Sequence, residues 1–186
     1  KKNMDIFGVC MLGLTTAVGG GIIRDVLLGF TPPVTFRDWK YAAAAVAVSM
    51  IAFLPFVRGP IVRDGKIHDV LLLVTDSAGL GVFTVCGAQA AISGGYGDNT
   101  FLVVFVAVVT GVGGGVLRDM FVGYKPYIFV KHIYACASIA GALLCCWLWP
   151  YAGENIAMTA GMTLIFALRL CSAKFRWSLP KAGNIE

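Results

Sequence analysis

Two stretches of the chain carry the same unusual combination of glycine and charge: Gly19-Gly20-Gly21-Ile22-Ile23-Arg24-Asp25 and Gly113-Gly114-Gly115-Val116-Leu117-Arg118-Asp119. Each lies inside a long apolar segment. Aligned without a gap, residues 16–32 and 110–126 agree at a threonine, a valine, the three glycines, the Arg-Asp pair, a further glycine and the final proline, as an old duplication would leave them. Each glycine weakens a helix by about 1 kcal/mol relative to alanine, and a run of three lets the helix kink or come close to a neighbour. Carbonyl oxygens freed at a kink inside a membrane must face protein or water. There they replace part of a cation's hydration shell. The plainer use is close helix packing, for which Gly111 and Gly115 have the GxxxG spacing. Two copies, each followed one turn later by a charge pair, favour a pathway lined by both triplets.

Arg24, Asp25, Arg118 and Asp119 are the charges that follow the triplets, expected to rim or gate such a pathway or to anchor the helices at the interface. Neighbouring residues on a helix point in different directions, so Arg24 is expected to find its counter-charge elsewhere than at Asp25. Asp76, flanked by Thr75 and Ser77 in another apolar segment, is either a cation-attracting group or the partner of a buried arginine. Thr15, Thr16, Thr110 and Gln89 are candidate polar lining, although threonine often bonds back to its own helix. His68 and His132 each stand without a second ligand at helical spacing, so no metal site is expected. Neither triplet continues into the Gly-Lys-Ser/Thr of a phosphate cradle. No nucleophile, base and orienter occur together, which speaks against an enzyme, and no cofactor is expected.

These residues sit in a chain of 186 residues that is 58% hydrophobic and only 13% charged, with a mean hydropathy of +0.80. Soluble domains carry about a quarter charged residues, so this is an integral membrane protein. Apolar segments fall at residues 4–29, 39–57, 69–92, 100–123, 128–149 and 155–173. Each is near the ~20 residues a spanning helix needs, and none alternates as a barrel strand does. Short connections leave no room for a soluble domain. Cys10, Cys86, Cys136, Cys145, Cys146 and Cys171 all fall in apolar segments and read as small packing residues. Lys1, Lys2, Arg58, Arg63, Lys66, Lys125, Lys131, Lys174, Arg176 and Lys181 fall on one face, with Arg37 and Lys40 on the other. The first face is therefore cytoplasmic, and so is the C-terminus. Trp39, Tyr41, Trp147, Trp149, Tyr151 and Trp177 mark the interfaces. The net charge of +5 is accounted for by this topology and by anionic lipid, with no nucleic-acid partner.

An odd number of crossings separates the two triplets, so their helices point in opposite directions and the repeat is inverted, an arrangement that places sites near the bilayer midplane. The expected fold is an all-α, seven-helix inverted-repeat (3+3+1) bundle with kinked glycine-rich helices, six of them in this chain. Residues 1–57 are then the remainder of a first three-helix repeat whose first helix is missing. Residues 69–149 form the second repeat, 155–173 the seventh helix and 174–186 a cytosolic tail.

The doubled Gly-Gly-Gly-x-x-Arg-Asp, Asp5-Ile6-Phe7-Gly8, Arg24-Asp25-Val26-Leu27-Leu28-Gly29 and Gly114-Gly115-Val116-Leu117-Arg118-Asp119-Met120 together resemble the prokaryotic trimeric intracellular cation (TRIC) channel family over nearly the whole chain. Its wider sequence family is also labelled glycine transporter. The resemblance implies a homotrimer with a pore through each protomer, conducting potassium and other monovalent cations, sodium among them. Gly19, Gly20, Gly21, Gly113, Gly114 and Gly115 would lie at the kinks of the pore helices. Animal members carry Lys-Glu-Val where this chain has glycine, so a prokaryotic plasma (inner) membrane is the expected location. Two other functions compete: secondary transport of a small zwitterion such as glycine, with an arginine on the carboxylate and Asp76 on the amine, and a non-conducting scaffold.

Overall fold

The structure, a computed structural model, describes residues 4–56, 65–130, 133–175 and 177, and among these every regular element is a helix. Helix α1 (Ile6–Leu27) leads through the short α2 (Val34–Arg37) to α3 (Lys40–Phe53). Helix α4 (Gly65–Ala91) ends in a π-helical turn at Ile92–Tyr96 and is followed by α5 (Thr100–Val122). The short α6 (Tyr127–Val130), α7 (Tyr134–Ala152) and α8 (Glu154–Lys174) complete the chain. Five of the described helices are long and apolar enough to cross a membrane, and α3 is a shorter apolar helix. The sequence long–short–long therefore occurs twice, as α1–α2–α3 and as α5–α6–α7.

The boundaries have local causes. The Asp5 carboxylate accepts from the Gly8 N–H at 2.7 Å and the Asn99 side chain from the Leu102 N–H at 3.0 Å, capping α1 and α5. Gly123 closes α5 in the left-handed conformation (φ 73°). Two expected segments need correction. The segment 39–57 yields a helix of only 14 residues, because Leu54, which precedes Pro55, is forced into extended backbone (ψ 134°). The segment 128–149 is divided between α6 and α7. Ile133, at the start of α7, has φ 65° and ψ 17°, a left-handed conformation that a β-branched residue rarely adopts. Ile133→Asn, which tolerates that region, is expected to raise stability by about 1 kcal/mol, read as a higher unfolding midpoint in detergent.

The core lies among α4, α5, α7 and α8, where Leu80, Ala88, Ala91, Val103, Ala107, Ala137, Cys145 and Ile165 are buried. Cys145 is a packing residue there, as read from sequence, and all six cysteines are free. Close backbone approach carries much of the packing: a Cβ on Gly141 would run into Ile165, and one on Gly161 would sit 2.9 Å from the Gly141 carbonyl. Such small-residue crossings are how helices associate where lipid offers no hydrophobic drive. Helix α1 packs on α5 and α3. Phe7, Trp39, Phe101, Phe121, Trp147 and Tyr151 are exposed, as lipid-facing and interfacial residues should be. Of the residues used for the charge asymmetry, Lys1, Lys2, Arg58, Arg63, Lys131, Arg176 and Lys181 lie outside the described residues, as does the Lys66 side chain.

Candidate functional site

The two glycine triplets meet each other. A Cβ on Gly20 would strike the Thr110 carbonyl oxygen, and one on Gly114 would strike the carbonyl oxygen of Thr16. The repeat relates Thr16 to Thr110 and Gly20 to Gly114, so each contact is the other's symmetry copy, and α1 and α5 cross antiparallel. Both helices run as α-helix without a break through the triplets. Successive residues turn by about 100° around a helix, so the three glycines of each triplet face three directions. Gly19 packs on Leu117, and Gly113 has the Gly20 Cα 3.2 Å from where its Cβ would be. Gly20 and Gly114 make the backbone crossing. Gly21 and Gly115 have only an arginine tip at 3.9 and 3.8 Å and the Tyr134 hydroxyl at 4.0 Å.

Beside this crossing a cavity of about 530 Å³ opens between α1, α4 and α5. Of the residues named in the sequence, Thr16, Gly20, Gly21, Thr75, Asp76, Thr110, Gly111, Gly114, Gly115 and Arg118 line it. Gly19, Gly113, Thr15, Gln89, Arg24, Asp25 and Asp119 do not. On α4 the lining ends at Phe83; one turn beyond, a Cβ on Gly87 would lie 2.8 Å from the Ala107 Cα, so α4 and α5 come together. Thr15, Thr16 and Thr110 all donate to carbonyls of their own helix, at 2.8, 2.7 and 2.7 Å. Gln89 instead donates to the Glu154 carboxylate at the start of α8.

The charge pairs overturn the expectation for Arg24. It binds Asp25, its immediate neighbour: Nε and Nη2 both lie 2.8 Å from Oδ1. Arg118 likewise binds its immediate neighbour Asp119, through Nε at 2.9 Å. The arginine stem is long enough to curl back across the last turn, which the rule for facing residues does not cover. The other oxygen of each aspartate accepts the first N–H of the following short helix, Val34 for Asp25 and Tyr127 for Asp119, both at 2.9 Å. Each carboxylate therefore neutralises an arginine and ties down the chain beyond the helix. Asp25 is fully buried, whereas Arg118 is 36% exposed and borders the cavity.

Asp76 is the partner of a buried arginine, one of its two expected roles. It lines the cavity, and its Oδ2 accepts from Nη2 of Arg169 on α8 at 3.2 Å while Oδ1 accepts from the Tyr134 hydroxyl at 3.3 Å. The guanidinium carbon stands 4.6 Å from the centre of the Tyr134 ring and 5.7 Å from that of Tyr127. Sequence reasoning missed Arg169 and both tyrosines. The available signal was a lone arginine between Leu168 and Leu170, which in a spanning helix needs a counter-charge. His132 and the side chain of His68 lie outside the described residues. Among the described residues no group of three His, Cys, Asp or Glu side chains is placed to hold a metal ion.

A family profile described as glycine transporter matches residues 1–56 and 73–150. The chain is 38% identical over 182 residues to a UPF0126 membrane protein of Deinococcus radiodurans, covering 97% of this chain and 81% of that one. It is 34% identical over 179 residues to the UPF0126 inner membrane protein YadS of Escherichia coli K12, covering 96% and 83%. A chain solved in work on the structural basis for conductance through TRIC cation channels superposes with a TM-score of 0.85 at 34% identity, covering 98% of this chain and 86% of its own. The TRIC orthologue from Rhodobacter sphaeroides superposes at 0.83 with 32% identity, covering 95% and 87%. These relatives are membrane proteins and channels rather than enzymes.

Proposed function

Because the chain belongs to the TRIC cation channel family, whose sequence profile is the one described as glycine transporter, we propose that it conducts monovalent cations, potassium foremost, through a pore in each protomer of a homotrimer. The observation that carries this reading is the cavity: glycines of both repeats and one carboxylate, Asp76, meet in it, so backbone dipoles and a negative charge are available to a partly dehydrated cation. Gly21 and Gly115 line the cavity with no side chain of their own, so they leave room for an ion beside the helix backbone. Conduction then requires α4 and α5 to part beyond Phe83, where Gly87 now meets Ala107. Arg118 borders the route at the Asp76 end, and the Arg24–Asp25 pair stands toward the opposite one. The protein would lie in a prokaryotic plasma membrane with its C-terminus in the cytoplasm, its apolar outer surface against lipid and neighbouring protomers.

A second reading, transport of a small zwitterion, is favoured by one observation: Arg118 and Asp76, a cation and an anion, border the same cavity. Single-channel recording in planar bilayers under a potassium chloride gradient, with glycine uptake into liposomes alongside, separates the two. Discrete steps reversing near the potassium potential are expected. Saturable, counterflow-competent glycine uptake without steps would overturn the channel reading and reassign Arg118 to the substrate carboxylate. Flux of neither kind would leave a scaffold.

A further inference from the structure

We infer that Arg169 sets the cation preference of the cavity from behind its wall, as a fixed counter-charge with which a permeant cation shares the Asp76 carboxylate. The inference rests on the cation-pathway reading above. Arg169 is 2% exposed and does not border the cavity, whereas the Asp76 side chain is 20% exposed and does. The acid thus stands between the cavity and the cation that balances it. Its contacts with Arg169 and the Tyr134 hydroxyl, at 3.2 and 3.3 Å, are longer than the ~2.7–2.9 Å of a tight charge-assisted bond. They occupy two of the roughly four lone-pair sites of a carboxylate, so capacity remains for an ion.

The balance at this point is close. Among the described residues, the charged side chains that line the cavity are Asp76 and Arg118, each already paired, with Arg169 and with Asp119. Two opposite pairs leave the site with no net charge, and removing either member of the Asp76–Arg169 pair unbalances it in a known direction. Arg169 cannot swing away to water: the Tyr127 and Tyr134 rings flank it, and its buried Nε has no hydrogen-bond partner. The backbone also bears on the arrangement, since left-handed Ile133 immediately precedes the tyrosine whose hydroxyl meets Asp76. Helices α4 and α7 thus bring Asp76 and Tyr134 to one point of the cavity wall, with Arg169 of α8 behind it.

The test is the potassium-over-chloride permeability ratio, from reversal potentials of the assembled protein in planar bilayers. Asp76→Asn should lower the ratio severalfold and Arg169→Gln should raise it severalfold. The double variant should return near the wild-type value, and Arg169→Lys should leave it unchanged. A merely structural arginine would disturb assembly without producing shifts of opposite sign. An unchanged or lowered ratio in a conducting Arg169→Gln overturns the inference. Should that variant fail to assemble, Asp76→Asn compared with the double variant decides, since neither leaves an unpaired carboxylate. A higher ratio in the double supports Arg169's role and an equal ratio overturns it. A wild type without cation currents removes the pathway reading and this inference with it, whereas a conducting wild type with unmoved arginine variants removes this inference alone.

Discussion

Gly20→Ala and Gly114→Ala should each destabilise the folded protein by about 1–3 kcal/mol, the usual penalty for forcing a methyl group into a packed contact. The new carbon meets main chain in both cases: the Thr110 carbonyl with Gly114 N at 3.4 Å for Gly20, and the Thr16 carbonyl with the Thr16 Cα at 3.5 Å for Gly114. Backbone cannot rotate aside as a side chain can, so the helices must separate. Gly21→Ala and Gly115→Ala provide the contrast, because the nearest atoms are 3.9 and 3.8 Å away, at the ends of flexible arginines. These two should be as stable as wild type or up to about 1 kcal/mol more so, through helix propensity, while narrowing the cavity that both glycines line. Thermal unfolding in detergent, paired with conductance, should separate the four: lower midpoints for the central glycines, normal midpoints and smaller currents for the third ones. Equal losses of stability at all four positions would mean that the triplets serve packing alone, as the scaffold reading holds.

That division of labour within a triplet explains what could and could not be read from the chain. Glycine in threes and charges in apolar segments are rare, so Gly20, Gly21, Gly114, Gly115, Asp76 and Arg118 stood out, and all six border the cavity. Segment lengths were legible for α1, α5 and α8, because membrane thickness sets the length of an uninterrupted apolar helix. Where main-chain geometry intervenes, at Pro55 and at left-handed Ile133, hydropathy alone ran through the boundary. Arg169 was missed for a different reason. One arginine near the end of a spanning helix resembles an interfacial anchor until the fold brings Asp76 and Tyr134 against it from two other helices. The pairing of Arg24 with Asp25 went against a rule based on where side chains leave the helix, which does not account for how far an arginine reaches.

The same pair yields a prediction that a symmetric repeat would not suggest: Asp25→Ala should cost about 3–5 kcal/mol, as for a buried ion pair that loses one partner, and Asp119→Ala clearly less. The hydrogen bonds are matched almost atom for atom, each aspartate holding the preceding arginine and the first N–H of the next short helix. Surroundings separate them. The Asp25 side chain is 1% exposed beside an Arg24 at 17%, while Asp119 is 13% exposed beside an Arg118 at 36%. An arginine abandoned at position 118 can turn to the water of the cavity, and pairs open to solvent are typically worth ~0–1 kcal/mol. Arg24 has much less access to water, and the Val34 N–H would lose its acceptor as well. Asp25→Asn should recover part of the loss, since an amide oxygen can still accept from Val34 while the charge is gone. Denaturant unfolding in micelles should therefore rank Asp25→Ala below Asp25→Asn, and Asp25→Ala well below Asp119→Ala. Equal values for the two alanine variants would mean that the repeats bury their charge pairs alike in the assembled protein, and would remove the asymmetry that makes Arg118, and not Arg24, the arginine of the cavity.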